Sequence, residues 1–251
     1  MKDFYFKGVK VTSCNMSSAT AFAVDSCKKS KCEYICVIDA GHIVVASRSS
    51  PLLKEAINNS ALCIPDGRPL SMFARLKGDI EIERVAGPDF MTNVLKSTEG
   101  HRISHFFMGD TEEALERLVG KIRREFPNIT ISGWFSPPFG EWGDDTNMQI
   151  LSKIRESNPD FIWVSLGNTK QAVWMYRNHD KLKHGVIVGV GAAFRFYLGD
   201  IKRAPKFFQF IALEWFFRLL QQPRKMGIRY LRTLPLFILY FIPELFKRNK
   251  I

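Results

Sequence analysis

Up to residue 201 the chain alternates between short, wholly apolar runs and stretches in which apolar residues return every three or four places. Tyr34 to Ile38 (YICVI) reads as a buried strand, followed by a helical stretch and a second run, Ala61 to Ile64. His105 to Met108 forms a third and stops at Gly109. Asp110-Thr-Glu-Glu113 then resembles a capping box opening a helix that reaches Phe126. Ile129 to Ile131 is a strand and Asn147 to Glu156 a helix. Asp160 to Leu166 is a strand ended by Gly167, with a helix over Lys170 to Arg177. Val186 to Val190 closes the series at Gly191. Strands that alternate with crossover helices predict an α/β fold: a Rossmann-like, mainly parallel sheet. In such sheets ligands sit beyond the carboxyl ends of the strands. The loops after Ile38, Ile64, Met108, Leu166 and Val190 are therefore the places to look for chemistry.

From Lys202 the alternation stops. Lys206 to Gln222 reads as a helix with Glu214, Arg218, Gln221 and Gln222 on one side and a very broad aromatic and aliphatic arc on the rest. The chain thus divides into an α/β domain, residues 1–201, and a basic amphipathic appendage, residues 202–251. Charge follows the same boundary. The net charge is +11, and residues 202–251 hold 11 Lys and Arg against 2 acids, so nearly all of the excess sits in the appendage. Cations beside apolar surface imply a polyanion, an anionic membrane surface, or both. The run Leu234 to Ile242 is interrupted by Pro235, stopped by Pro243, and well short of the roughly 20 residues a spanning helix needs. It is expected to lie on a bilayer rather than cross it. The N-terminal MKDFYFKGVK, with acid and base ahead of any apolar run, is not expected to be a secretory signal. Cys14, Cys27, Cys32, Cys36 and Cys63 match no common zinc spacing and read as buried thiols of a reducing compartment.

Among polar residues, Asp66 stands in Ile64-Pro-Asp-Gly67, just beyond a strand end. A carboxylate there can act as general base toward a substrate hydroxyl, although Pro-Asp-Gly is also favourable turn chemistry. Arg84, in Glu83-Arg-Val-Ala-Gly87, carries the planar fork that suits phosphate oxygens. The Gly167-Asn-Thr-Lys-Gln171 loop joins a strand to a helix start, where free amides attract anions, yet it lacks the nucleoside-triphosphatase P-loop pattern. Gly189-Val-Gly191 is only a fragment of a dinucleotide fingerprint, which argues against a nicotinamide or flavin enzyme. Asp144 and Asp145 read as a solvated pair. The histidines (42, 101, 105, 179 and 184) have neither metal nor triad spacing, and His42 draws most interest because it follows Asp39 in a strand-end loop.

Taken in order, Pro65-Asp66-Gly67, Arg84-Val85-x-Gly87, Gly167-x-x-Lys170-Gln171, Gly189-Val-Gly191 with Phe194 and Gly199, Lys202-Arg-Ala-Pro205, Leu213-Glu-Trp215 and Arg218-Leu219 resemble the WecG/TagA/CpsF glycosyltransferases, glycosyltransferase family 26. The resemblance runs from about Phe6 to Arg229. It implies an inverting, metal-independent transferase with no cofactor. Such an enzyme moves a sugar, typically N-acetylmannosamine or its uronic acid, from a UDP-sugar to a polyprenyl-diphosphate-linked sugar. The setting implied is cell-surface polysaccharide synthesis (teichoic acid, capsule, exopolysaccharide), peripheral on the cytoplasmic face of the membrane. By the same carry-over Asp66 is the catalytic base. Asp39, Arg84, Gly87, Lys170, Gln171, Gly191, Arg203, Arg218, Arg224 and Arg229 are substrate-binding, the appendage closing over the donor with its arginines toward the diphosphate. The chain departs from the family pattern at Val37, Asp39, Ala172 and Arg195, which stand where the family has Thr, Asn and two acids, and at Lys225 for an arginine. Those departures motivate a second reading, a non-catalytic scaffold that binds nucleotide or lipid in a polysaccharide assembly complex. A nucleic-acid binder is disfavoured, since charge is the only feature that speaks for one. Excess apolar surface on the 206–222 helix also fits a homo-oligomer.

Overall fold

The computed structural model describes residues 1–76, 78, 81–205, 208, 214–223, 227, 233, 235–240 and 242–243, without the side chains of Asn168, Trp215 and Arg218. A hairpin comes first: β1 (Asp3–Phe6) and β2 (Val9–Thr12) pair antiparallel about Lys7 and Gly8, both at positive φ. That is the twist a two-residue hairpin turn demands. Six further strands form one parallel sheet: β3 (Cys32–Ile38), β4 (Leu62–Pro65), β5 (Ser104–Gly109), β6 (Thr130–Phe135), β7 (Phe161–Ser165) and β8 (Gly185–Gly189). Their order across the sheet is β4-β3-β8-β7-β5-β6, with every adjacent pair parallel.

The strands are apolar on both sides because both sides are covered. On one face Tyr34, Cys36 and Ile38 of β3 and Ile162 and Val164 of β7 pack under the hairpin, α2 (Ala40–Arg48), α3 (Pro51–Asn58), α4 (Arg68–Leu76), α7 (Asp144–Ser157) and α8 (Asn168–Asn178). Ile35, Val37, Phe161 and Trp163 face the other way, toward α1 (Met16–Ser26), α5 (Gly87–Thr98), α6 (Glu112–Glu125) and α9 (Ala193–Leu198). All five cysteines are free and buried, and burial pushes the Cys27 thiol up to about 11 and those of Cys32 and Cys36 to about 12.

Two local expectations change. Thr111, not Asp110, caps α6, its hydroxyl accepting from the Ala114 amide at 3.3 Å. Asp110 has φ +61°, and its carboxylate is drawn off by Arg195, so it is unavailable as a cap. The tail is also not wholly a surface element. Phe237 is 4% exposed, its ring 5.4 Å from that of Phe6 in the hairpin, with Leu236 and Tyr240 packed on the same core. Ile238, Leu239 and Ile242 remain exposed. In the appendage the described residues include α10 (Glu214–Gln221); the rest of the helix expected over 206–222 lies outside them.

Candidate active site

β3 and β8 are neighbours, but β3 leads outward to β4 while β8 leads into α9, so a crevice opens at their carboxyl ends. Asp39 closes β3 and caps α2: its Oδ1 accepts from the His42 amide at 3.1 Å, and the His42 ring Nδ1 lies 2.8 Å from the same oxygen. The suspicion attached to His42 resolves into a capping box, a role that Asn and Asp fill about equally well.

Asp66 follows the end of β4, and its amide donates to the Ile38 carbonyl at 2.8 Å, extending the ladder by one residue. α5 starts at Gly87, and its N-cap, Ala86, has no side chain to satisfy the free amides. Asp66 does this from a distance, with Gly87 N donating to its Oδ1 at 3.3 Å. Arg84 Nε donates to the Asp66 carbonyl at 2.8 Å, so the carboxyl-bearing residue and the guanidinium are held side by side. Glycine lets position 87 sit close: a Cβ there would stand a tight 3.3 Å from the Val190 carbonyl oxygen and 3.6 Å from Val37 Cγ1. The first turn of α5 is thereby wedged against the ends of β3 and β8. Burial pushes the Asp66 carboxyl above its usual range; Arg84 pulls it down, Asp39 and Glu214 push it up, and the Gly87 amide pulls it down. A carboxylate held this way is primed to take a proton.

The appendage covers this turn. Glu214, at the start of α10, reaches Arg84, with Oε2 2.6 Å from Nη2. Arg203 grips Asp89 in the first turn of α5, with Nη2 2.9 Å from Oδ2. Gln221 exchanges hydrogen bonds with the Lys202 backbone at 3.1 and 2.9 Å. Between the strand ends and α10 lies a hollow of about 140 Å³, lined by Asp39, Asp66, Arg84, Lys202, Arg203 and Glu214, with Phe196 and Phe217 beside them. A larger hollow of about 490 Å³, lined by Pro159, Lys181 and His184 among others, opens at the amino ends of β7 and β8, away from these residues. Position at the carboxyl ends, not size, makes the smaller one the candidate site.

Of the residues expected in the site, Asp39, Asp66, Arg84, Gly87 and Arg203 converge here. Gln171 and Gly191 meet each other instead: Gln171 is buried, and its Oε1 accepts from the Gly191 amide at 3.0 Å, fixing the loop after β8. Lys170 points elsewhere. Its ammonium donates to the Gly140 carbonyl and lies 3.4 Å above the Trp142 ring, where burial lowers its pKa. The Arg218 side chain, Arg224 and Arg229 lie outside the described residues. Among the departures within the described residues, only Asp39 lines the hollow; Val37 and Ala172 are buried, and Arg195 joins a ladder with Asp110, Asp200 and Arg117, while Lys225 lies outside them. The residue that sequence reasoning left without a role in the site is Glu214, read as part of a polar helix face and of the Leu213-Glu-Trp215 motif. Its signal was its rarity, as one of two acids among residues 202–251.

A family model described as the glycosyl transferase WecG/TagA/CpsF family matches residues 4–251. The chain belongs to that family. It is 28% identical over 176 residues to an N-acetylglucosaminyldiphosphoundecaprenol N-acetyl-beta-D-mannosaminyltransferase of Bacillus spizizenii, a match covering 70% of this chain and 66% of the relative. It is 30% identical over 169 residues to the protein of the same name from Bacillus subtilis, covering 67% and 64%. The corresponding protein of Staphylococcus aureus strain MW2 is 27% identical over 185 residues, covering 73% and 70%. The matched region thus spans slightly less than two thirds of the two Bacillus relatives. With the family established, the Asp66–Arg84 turn and its covering helix are the features of this WecG/TagA/CpsF chain that demand a chemical role.

Proposed function

We propose that this chain is a glycosyltransferase that moves a sugar from a UDP-sugar to a polyprenyl-diphosphate-linked sugar, with inversion at the anomeric carbon and without a metal. The relatives' names support the acceptor class and make N-acetylmannosamine the first sugar to try. The observation that carries the reading is the Asp66 carboxyl, raised in pKa and set beside Arg84 at the strand ends. In this reading Asp66 takes the proton of the acceptor hydroxyl. The freed oxygen attacks the anomeric carbon from the face opposite the diphosphate, the bond from that carbon to the diphosphate oxygen breaks, and UDP departs with the electron pair. Charge grows on the diphosphate as it leaves, and fixed cations stabilise it without reorganising. Arg84, Lys202 and Arg203 line the hollow and supply that charge.

A membrane surface is part of the proposal, because a polyprenyl acceptor is confined to one. Among the described residues no helix is long and apolar enough to cross a membrane. Ile238, Leu239 and Ile242, exposed on a strongly cationic segment, support peripheral attachment to anionic lipid.

The test is UDP release by the purified protein given UDP-sugars and an undecaprenyl-diphosphate-linked N-acetylglucosamine analogue. Asp66→Asn is expected to lower turnover by about 10²-fold or more. The wild-type rate should fall with acid along a limb displaced above the ordinary carboxylate range, because the base must be ionised. The same substitution should leave melting at neutral pH unchanged or raised: a carboxyl whose folded pKa is elevated contributes stability at low pH that is lost as pH rises. Undiminished turnover in Asp66→Asn refutes the assignment of the base.

A further inference from the structure

The Arg84 guanidinium is already in contact with an anion. Its Nε is fixed by the Asp66 carbonyl at 2.8 Å, and its Nη2 lies 2.6 Å from Glu214 Oε2. Glu214 is carried by α10, in a segment otherwise almost wholly cationic. The hollow it helps to line is about 140 Å³, whereas sites for small molecules and cofactors run to about 300–1,000 Å³. A diphosphate drawn to Arg84 would therefore meet a carboxylate already seated on that guanidinium, in a hollow smaller than a whole sugar nucleotide needs. Two other contacts of the described part of the appendage do not depend on that pair: Gln221 holds the Lys202 backbone, and Arg203 holds Asp89. Glu214 can thus leave Arg84 while the root of the appendage stays attached.

We infer that Glu214 is a built-in stand-in for the donor diphosphate, docking α10 on Arg84 when the site is empty and giving way when phosphate oxygens arrive. The inference rests on the reading of Arg84 as a diphosphate contact. Its consequence is competition: part of the intrinsic affinity for the ligand is spent on displacing Glu214, and neutralising that residue removes the competitor.

Inorganic pyrophosphate is the direct probe, with UDP and uridine alongside, titrated calorimetrically into the full chain. Glu214→Gln keeps the shape and loses the charge. Pyrophosphate should bind it about 2–5-fold more tightly than wild type, the scale expected for removing one partly exposed ion pair, with uridine unaffected. Equal or weaker binding in Glu214→Gln, or no pyrophosphate binding by either protein, overturns the inference. The second measurement needs no variant: adding pyrophosphate to wild type should speed amide hydrogen exchange in α10, and unchanged or slower exchange overturns it too. UDP separates this idea from the donor reading. Tighter pyrophosphate binding without any UDP binding sustains the stand-in and sinks the UDP-sugar donor.

Discussion

His105 shows how a buried polar residue takes one state and how that state reaches stability. Trp163 Nε1 donates to its Nδ1 at 3.1 Å, so the ring proton sits on Nε2, facing Thr98 Oγ1 at 3.0 Å. Thr98 in turn donates to the Val94 carbonyl at 2.8 Å. Every donor is matched only if the ring is neutral, and burial lowers its pKa to about 3. An unfolded histidine titrates near 6.5, so between these values the unfolded chain binds more protons and stability falls as pH drops. The slope approaches about 1.4 kcal/mol per pH unit within the window. Melting should drop between pH 6.5 and 4.5, and the drop should be shallower in His105→Gln; parallel curves would disprove the linkage. None of this was legible in the sequence, because the partners of His105 lie 7 and 58 residues away. Asp66 and Asp39 were legible because the strand-end rule requires only a strand boundary, whereas Arg84, in the loop between α4 and α5, was raised only by its phosphate-fitting fork and the family resemblance. Their mutual arrangement was not, since the Gly87 amide that meets Asp66 comes from a helix 21 residues on.

At the scale of elements, the six parallel strands and helices α6, α7 and α8 followed from the apolar pattern with ends displaced by up to three residues, whereas a single helix was expected where α2 and α3 stand and α1, α4, α5 and α9 were not read. β6 is the exception: Ile129 to Ile131 announced it, but it continues to Phe135 through Gly133, where a Cβ would press the Phe106 ring at 3.0 Å. The hairpin escaped notice although its alternation and its Lys7-Gly8 turn are a local signal, because it belongs to neither the parallel sheet nor the crossover pattern. The start of α5 is where an element and the site meet. Gly87→Ala pushes a methyl toward the Val190 carbonyl at 3.3 Å and tilts the amide that Asp66 accepts. A stability loss of about 1–3 kcal/mol is expected from such overpacking, together with a fall in turnover. Gly143→Ala is the control: φ is −83° and a Cβ there has no neighbour within 4 Å. Denaturant melts of both variants check the claim, and equal midpoints would show that α5 accommodates the methyl.

For the whole molecule, the appendage joins cover of the hollow and core packing in one short segment, and under the proposed function it would add membrane contact. Its charge and hydrophobicity were plain in the sequence, but the division of its apolar residues between core and surface needed Phe6, more than two hundred residues earlier. Deleting residues 230–251 would therefore mix two effects, since it removes the buried Phe237 together with the exposed Ile238, Leu239 and Ile242. Point variants separate them. Phe237→Ala should cost about 3 kcal/mol in a denaturant melt, as expected for opening a cavity beside Phe6. Replacing Ile238, Leu239 and Ile242 together by serine touches only exposed side chains, so the melt should move by no more than about 0.5 kcal/mol. The triple variant should nevertheless lose cosedimentation with vesicles containing phosphatidylglycerol, while its turnover on a short, water-soluble acceptor analogue persists. Retained vesicle binding would remove this face from the membrane contact. Loss of turnover on the soluble analogue would place it in the cover of the active site instead. With both expected results, the exposed half of the tail holds the hollow against the bilayer, and the buried half ties that anchorage to the hairpin and the sheet.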